Sequence, residues 1–279
     1  MIITNIIGGI GNQLFQYYFG RKIAAINDAS LKLDNSDFAN YNWHKFELNK
    51  FNLKYEIASK KEIEIFLNEN LITKAIQKLN PYYKRKLVKQ RVDFYDSNLL
   101  KIKDNSYLKG YWQCDKYFLS MKEEILKEMT LKSKYVNEHF KDLKKDILKN
   151  NSISIHVRRG NYLDLKVPVC SIEYYESALN LISKSIEKFK VYIFTNDVKW
   201  CRENFSEKYN IKIISGQENI FDYHELILMS CCYHNIISNS TFSWWAGWLN
   251  NSPNKKIIYP KIAKEMLNKD LFLKDWIMI

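Results

Sequence analysis

The sequence predicts an α/β protein made of two tandem units, each a parallel sheet covered by helices. Three observations carry this. Short β-branched strands alternate with helically spaced apolar residues in both halves. Glycine-rich or hydroxyl-rich segments follow directly on strand ends, where open parallel sheets bind ligands. A Lys- and Asn-rich stretch, Lys144–Asn151, separates the halves, so the predicted domains are 1–150 and 151–279. A chain of 279 residues suits two domains of roughly 100–200 residues.

In the first half, Ile2–Ile7 is a β-branched run that stops at Gly8-Gly9-Ile10-Gly11. Helical spacing follows through Leu14, Phe15, Tyr18, Phe19, Ile23 and Ile26. Lys32–Asp37 reads as a second strand and loop, and Lys60–Lys89 as helices with charged faces. Tyr107–Trp112 reads as a strand, Met121–Met129 and Val136–Lys149 as helices. In the second half Ile153, Ile155 and Val157 alternate into a strand that ends at Arg158-Arg159-Gly160. Tyr174–Lys188 is helical, and Lys190–Thr195 is a buried strand. Ile211–Ile214 is a strand, Phe221–Cys232 a helix and His234–Ser238 a strand. An aromatic helix, Phe242–Leu249, follows, then a last strand, Lys256–Tyr259, and one or two closing helices.

Composition narrows the class. Hydrophobic residues at 46% supply two cores, while 8 Gly and 4 Pro argue against long linkers. A net charge of +12 suits phosphates, nucleic acid or an anionic membrane face. A compositional bias towards Lys, Ile and Asn in the source genome explains the same charge more simply. Peripheral membrane contact through Lys-rich helices such as Lys78–Lys89 is one reading, and a solvated charged face is the other. Five cysteines, Cys114, Cys170, Cys201, Cys231 and Cys232, fit neither a zinc site nor a disulfide framework. They read as reduced thiols of a cytoplasmic protein. The first residues lack a positive n-region, and no run of about 18 apolar residues predicts a membrane-spanning helix.

Four segments carry chemistry. In Gly8-Gly-Ile-Gly-Asn-Gln-Leu-Phe-Gln16 the glycines, among them Gly9 and Gly11, permit a sharp turn and close approach to a ligand. The helix that follows offers free N–H groups and a positive dipole end for a phosphate. Asn12 stands where an N-cap or ligand donor would stand. A tight strand-to-helix turn needs the same glycines. In Ile155-His156-Val157-Arg158-Arg159-Gly160, two arginines end a buried strand. Guanidinium stays charged and matches a diphosphate in bidentate geometry; salt bridges at a strand end are the competing reading. In His234–Trp248 the hydroxyls of Ser240, Thr241 and Ser243 open a helix, suited both to capping and to phosphate oxygens. Trp244, Trp245 and Trp248 read as core. In Phe194-Thr195-Asn196-Asp197 the carboxylate either accepts from a nucleoside or caps the next helix. No Asp-x-Asp, His-Glu-x-x-His or Cys-x-x-Cys occurs, so charge for a bound diphosphate is expected from Arg, Lys and helix ends.

Together the segments resemble one family. Gly8–Tyr17, His156–Tyr162 and Leu228–Trp245 are similar to three signature blocks of the bacterial α-1,2-fucosyltransferases, and Ile193–Cys201 to a fourth. The blocks stand in the family's order and span nearly the whole chain, with the stretch Lys60–Lys103 covered least. The resemblance implies a GT-B-like fold, two Rossmann-type domains facing a central cleft. It implies inverting, metal-independent transfer of L-fucose from GDP-β-L-fucose to a galactose 2-hydroxyl in surface-glycan or O-antigen synthesis, with no cofactor. The partners implied are GDP-fucose and a galactose-containing glycan.

Carried over by position, the resemblance makes Arg158 and Asn12 catalytic. Arg158 and Arg159 would hold the diphosphate, His156 and Asp197 would lie against guanine, and Ser240, Thr241 and Ser243 would surround the phosphates. Asn12, with Gly9 and Gly11, would meet fucose or phosphate across the cleft. The chain departs from the family at Asn161, where an Asp is usual; the position is expected to hold the loop and orient an arginine. Three rival readings are a GDP-sugar transferase of another linkage, a nucleic-acid-binding protein and a non-catalytic sugar-nucleotide sensor. No major-groove helix or aromatic sheet motif supports the second.

Overall fold

A computed structural model describes residues 1–40, 43–68, 70–205, 209–266 and 270–279. The chain forms two compact units, Met1–Thr130 and Leu131–Ile279. The expected boundary near residue 150 falls at the end of a helix that packs into the second unit.

The first unit contains β1 (Ile2–Asn5), α1 (Ile10–Ile26), β2 (Leu31–Asp34), β3 (Glu56–Ile57), α2 (Lys60–Leu67), α3 (Leu71–Leu79), β4 (Leu87–Lys89), β5 (Ser106–Lys109) and α4 (Lys122–Glu128). Its strands make one parallel sheet in the order β3-β2-β1-β5-β4. β1 is buried throughout because Ile2 and Ile3 are covered on both faces, as a central parallel strand requires. α1 is buried around most of its girth, so apolar and amide side chains alternate without a clean stripe. Its amides brace the loop before it. Gln13 Nε2 donates to Gly8 O at 2.8 Å and Lys45 O at 2.7 Å, while Gln13 Oε1 accepts from Glu47 N at 2.9 Å. Gln16 Oε1 accepts from Ile7 N at 3.0 Å. The two glutamines of the first motif are therefore loop anchors.

The second unit contains α5 (Glu138–Lys149), β6 (Ser152–Val157), α6 (Gly160–Asp164), α7 (Ile172–Ser183), β7 (Lys190–Thr195), α8 (Val198–Asn204), β8 (Ile211–Ile213), α9 (Asp222–Ser230), β9 (His234–Ile236), α10 (Thr241–Leu249), β10 (Ile257–Tyr259), α11 (Lys261–Met266) and β11 (Ile277–Met278). α5 belongs here because Asn137 caps it, Phe140, Leu143 and Ile147 are buried, and Phe140 stacks on His224 at 5.0 Å. Each such side chain stabilises by about 1.5–3 kcal/mol on burial. The sheet order is β11-β10-β9-β6-β7-β8, all parallel. Read from β8, that is the doubly wound 3-2-1-4-5-6 order. The chain direction across the sheet reverses between β6 and β9, the place where such sheets bind ligands.

α10 is the core helix of this unit. Trp244, Trp245 and Trp248 are buried, and Trp244 stacks on Trp248 at 6.2 Å. Trp244 Nε1 donates to Leu271 O at 2.7 Å, so the aromatic run is core, as read from the sequence. Four expectations shift. Lys60–Lys89 ends in a strand, β4, rather than a helix. The strand expected at Tyr107–Trp112 stops at Lys109, since Trp112 has positive φ at 54°. The helix expected to Lys188 ends at Ser183. The closing segment is α11 followed by strand β11, with residues 267–269 outside the described part.

Candidate active site

The second unit's site stands at the reversal between β6 and β9. His156, the penultimate residue of β6, is 4% exposed. Its Nδ1 pairs with Ser238 Oγ at 2.9 Å, its ring lies 5.3 Å from Phe242, and its carbonyl accepts from Tyr175 Oη at 3.1 Å. Burial, with a smaller contribution from the Arg158 charge, holds its imidazole far below the ordinary histidine range, at about 3. His156 is therefore neutral, a hydrogen-bonding and stacking group rather than a charge.

The consecutive arginines diverge, because the strand ends at Val157. Arg159 lies over Trp200 at 4.3 Å, and its Nε is 3.5 Å from Asp197 Oδ2. Arg158 lies over the Tyr162 ring at 5.3 Å, and its Nε is buried without a hydrogen-bond partner among the described residues. A buried guanidinium N–H with nothing to donate to is costly, and an anion satisfies it. Arg159 Nε is likewise buried without a hydrogen bond, so the two arginines differ in setting: Arg159 has the Asp197 carboxylate opposite it and Arg158 a tyrosine face.

The loop after β6 is held from β7. Asn196 Oδ1 accepts from Arg159 N at 2.9 Å, and Asn196 Nδ2 lies 3.4 Å from Asn161 Oδ1. An amide at 161 serves that contact. Asp197 caps α8: its Oδ1 accepts from Trp200 N at 3.1 Å. Its carboxylate thus serves the helix by a hydrogen bond and Arg159 by an ion pair.

Ser240 is the N-cap of α10, its Oγ accepting from Phe242 N at 3.3 Å. Thr241 is the first helical residue and is half-buried. Ser243 is fully buried, and its Oγ donates to Ser240 O at 3.3 Å, so its hydroxyl is turned into the helix. The structure brings His156, Arg158, Ser240 and Thr241 to the ends of adjacent strands, while Asp197 and Arg159 pair one strand away. Sequence reasoning missed Tyr162, Asn196 and Ser238. Each had a signal: Tyr162 and Asn196 stand inside segments singled out in the sequence, and Ser238 is the last residue of the predicted strand.

The first unit has a matching reversal between β1 and β5. Asn12 follows β1 and Gln113 follows β5, and Gln113 Nε2 donates to Asn12 Oδ1 at 3.0 Å. Gly8 holds φ at 84°, the left-handed region that favours glycine. Gly9 is the N-cap of α1, where a Cβ would stand 3.3 Å from the His44 ring. Gly11 is buried in the first turn.

No disulfide joins the cysteines: Cys114, Cys170, Cys201 and Cys232 are buried and Cys231 is half-buried. Among the described residues no group of three or more His, Cys, Asp or Glu is placed to hold a metal ion. No helix among them is long and apolar enough to cross a membrane.

The chain belongs to glycosyl transferase family 11, whose model matches residues 1–279. It is 34% identical over 299 aligned residues to an alpha-1,2-colitosyltransferase of Escherichia coli, covering 100% of this chain and 99% of that one. It is 30% identical to the O-antigen biosynthesis glycosyltransferase WbnK of Escherichia coli, covering 97% of each. The alpha-1,6-fucosyltransferase NodZ, in a crystal soaked with GDP-fucose, matches at TM-score 0.57 and 12% identity over 89% of this chain and 91% of that one. The protein is thus a glycosyltransferase-family member with the expected α/β, GT-B-like type of fold.

Proposed function

We propose that the protein transfers L-fucose from GDP-β-L-fucose to the 2-hydroxyl of a galactoside with inversion, in surface-glycan synthesis and without a metal ion. One observation carries the reading: the Arg158 guanidinium lies over the Tyr162 ring, whose hydroxyl donates to Asn239 O just ahead of α10, and its Nε is buried and unpaired among the described residues. In the reaction the acceptor oxygen bonds the anomeric carbon as the bond from that carbon to the β-phosphate oxygen breaks. The electron pair leaves on GDP, and the hydroxyl proton passes to solvent. Charge grows on the β-phosphate, where Arg158 and the first N–H groups of α10 stabilise it. One preorganised donor of this kind contributes about 3–4 kcal/mol. Neutral His156 offers the base a hydrogen bond and a face.

A second reading is favoured by the colitosyltransferase relative. Colitose is L-fucose without its 3-hydroxyl, so both donors share the diphosphate and the inverting chemistry. One experiment separates them. The protein is incubated with GDP-fucose and GDP-colitose in competition, a panel of galactosides and EDTA, and products are analysed by mass and linkage. A fucosyl α-1,2-galactoside formed in EDTA is expected. A product one oxygen lighter per transfer establishes the colitosyl reading. No glycoside from either donor, or a strict metal requirement, overturns the proposal.

A further inference from the structure

We propose that the face built by α2, α3 and β4 docks the protein on an anionic phospholipid membrane. Two independent features belong to these elements. The first is apolar. Ile72, Ile76 and Leu79 recur at i, i+4 and i+7 of α3, so they form one stripe. They are 73%, 57% and 87% exposed, and Ile65 of α2 is 62% exposed. Scattered exposed apolar side chains are ordinary, but a contiguous stripe marks a contact surface.

The second feature is charge. Between Asn70 and Val92 the sequence has Lys74, Lys78, Lys84, Arg85, Lys86, Lys89 and Arg91, and no Asp or Glu. A cavity of about 620 Å³ opens beside α3, with Phe66 and Leu87 in its walls and Lys78, Arg85, Lys89 and Arg91 around them. The Arg91 guanidinium is 4.8 Å from the Tyr82 ring.

An anionic bilayer satisfies both features: headgroup phosphates take the cations, and the acyl boundary takes the stripe. Other occupants satisfy one. A nucleic acid would match the charge and leave Ile72, Ile76 and Leu79 in water. A second copy of the chain would cover the stripe while setting seven cations against seven.

The test is co-sedimentation of the full chain with phosphatidylcholine vesicles, with and without phosphatidylglycerol. Binding should rise about tenfold with the anionic lipid and fall with added salt. The triple variant Ile72→Ser/Ile76→Ser/Leu79→Ser should lose about tenfold in binding. The exposed pair Lys89→Glu/Arg91→Glu should lose at least as much at an unchanged melting temperature, and this variant decides the matter if the triple variant does not fold. Equal binding to both vesicle types, or full binding by the charge-reversal variant, overturns the proposal. Stripe-dependent self-association without vesicles, or tighter binding to a DNA oligonucleotide than to anionic vesicles, overturns it in favour of the other occupants.

Discussion

Gly160 and Asn196 occupy complementary space: a Cβ on Gly160 would stand 2.4 Å from Asn196 Nδ2. The bare glycine lets Asn196 reach the Arg159 amide and fix the turn that separates the two arginines. The Arg-Arg-Gly of the sequence is therefore one device, in which the glycine makes room for the residue that aims the arginines.

Gly160→Ala should displace Asn196 and break its bond to Arg159 N. Asn196 is exposed and its amide end can swing aside, so the change falls on the turn: the Arg159 amide loses its anchor and the arginines lose their register. A melting temperature close to the parent's, with transfer reduced by more than tenfold, is the expected pair of results. Unchanged kcat/KM in a folded variant would show that the turn does not aim the arginines.

Arg158→Ala should abolish measurable transfer while leaving the fold intact, and Arg158→Lys should rescue little, because the point charge lacks the planar fork. Tyr162→Phe should keep the ring beneath Arg158 and preserve GDP affinity. Tyr162→Ala should weaken it by about 0.5–2 kcal/mol. Isothermal titration with GDP reads the series directly.

Asn12→Ala should lower kcat with little change in GDP affinity, and Gln113→Ala should show a weaker version of the same split, because it removes the partner of Asn12 Oδ1. Equal losses in GDP binding and in turnover would place Asn12 in nucleotide binding instead.

Glu225 gives a pH test. It is nearly buried in α9, and desolvation raises its carboxyl to about 8. A hydrogen bond from Ser215 acts in the opposite direction, and Ser215 Oγ in turn accepts from Thr195 N at 2.6 Å. Between its ordinary value of 4.5 and about 8, the folded state binds more protons, so stability falls as pH rises through that window. His156 acts in the opposite sense. Its folded value of about 3 lies below its ordinary 6.5, so stability falls as pH drops through that range. His224 and His234 are lowered by burial in the same way, so above 6.5 the Glu225 slope is free of the histidines. Glu225→Gln should flatten urea midpoints between pH 6.5 and about 8, a window set by these two values. A variant with the parent's slope would show that Glu225 is ionised in the fold.

Alternating strands and helices, the Trp-rich core helix and the strand ends where chemistry gathers are legible in the residues alone. Those are local properties: β-branched runs, helical spacing, hydroxyl caps and glycines act on their near neighbours. Which of those ends adjoin is a matter of how the sheets assemble. β3, β4 and β11 are two or three residues long and are strands because β2, β5 and β10 pair with them. His156 meets Ser238 across 82 positions, and Asn12 meets Gln113 across 101. The same step separated two adjacent arginines: Arg159 found Asp197, Arg158 found a tyrosine face, and no rule of spacing distinguishes them. The reason is geometric. A strand's neighbours are set by where the chain returns in the sheet, so the partner of a charged group at a strand end is chosen by topology.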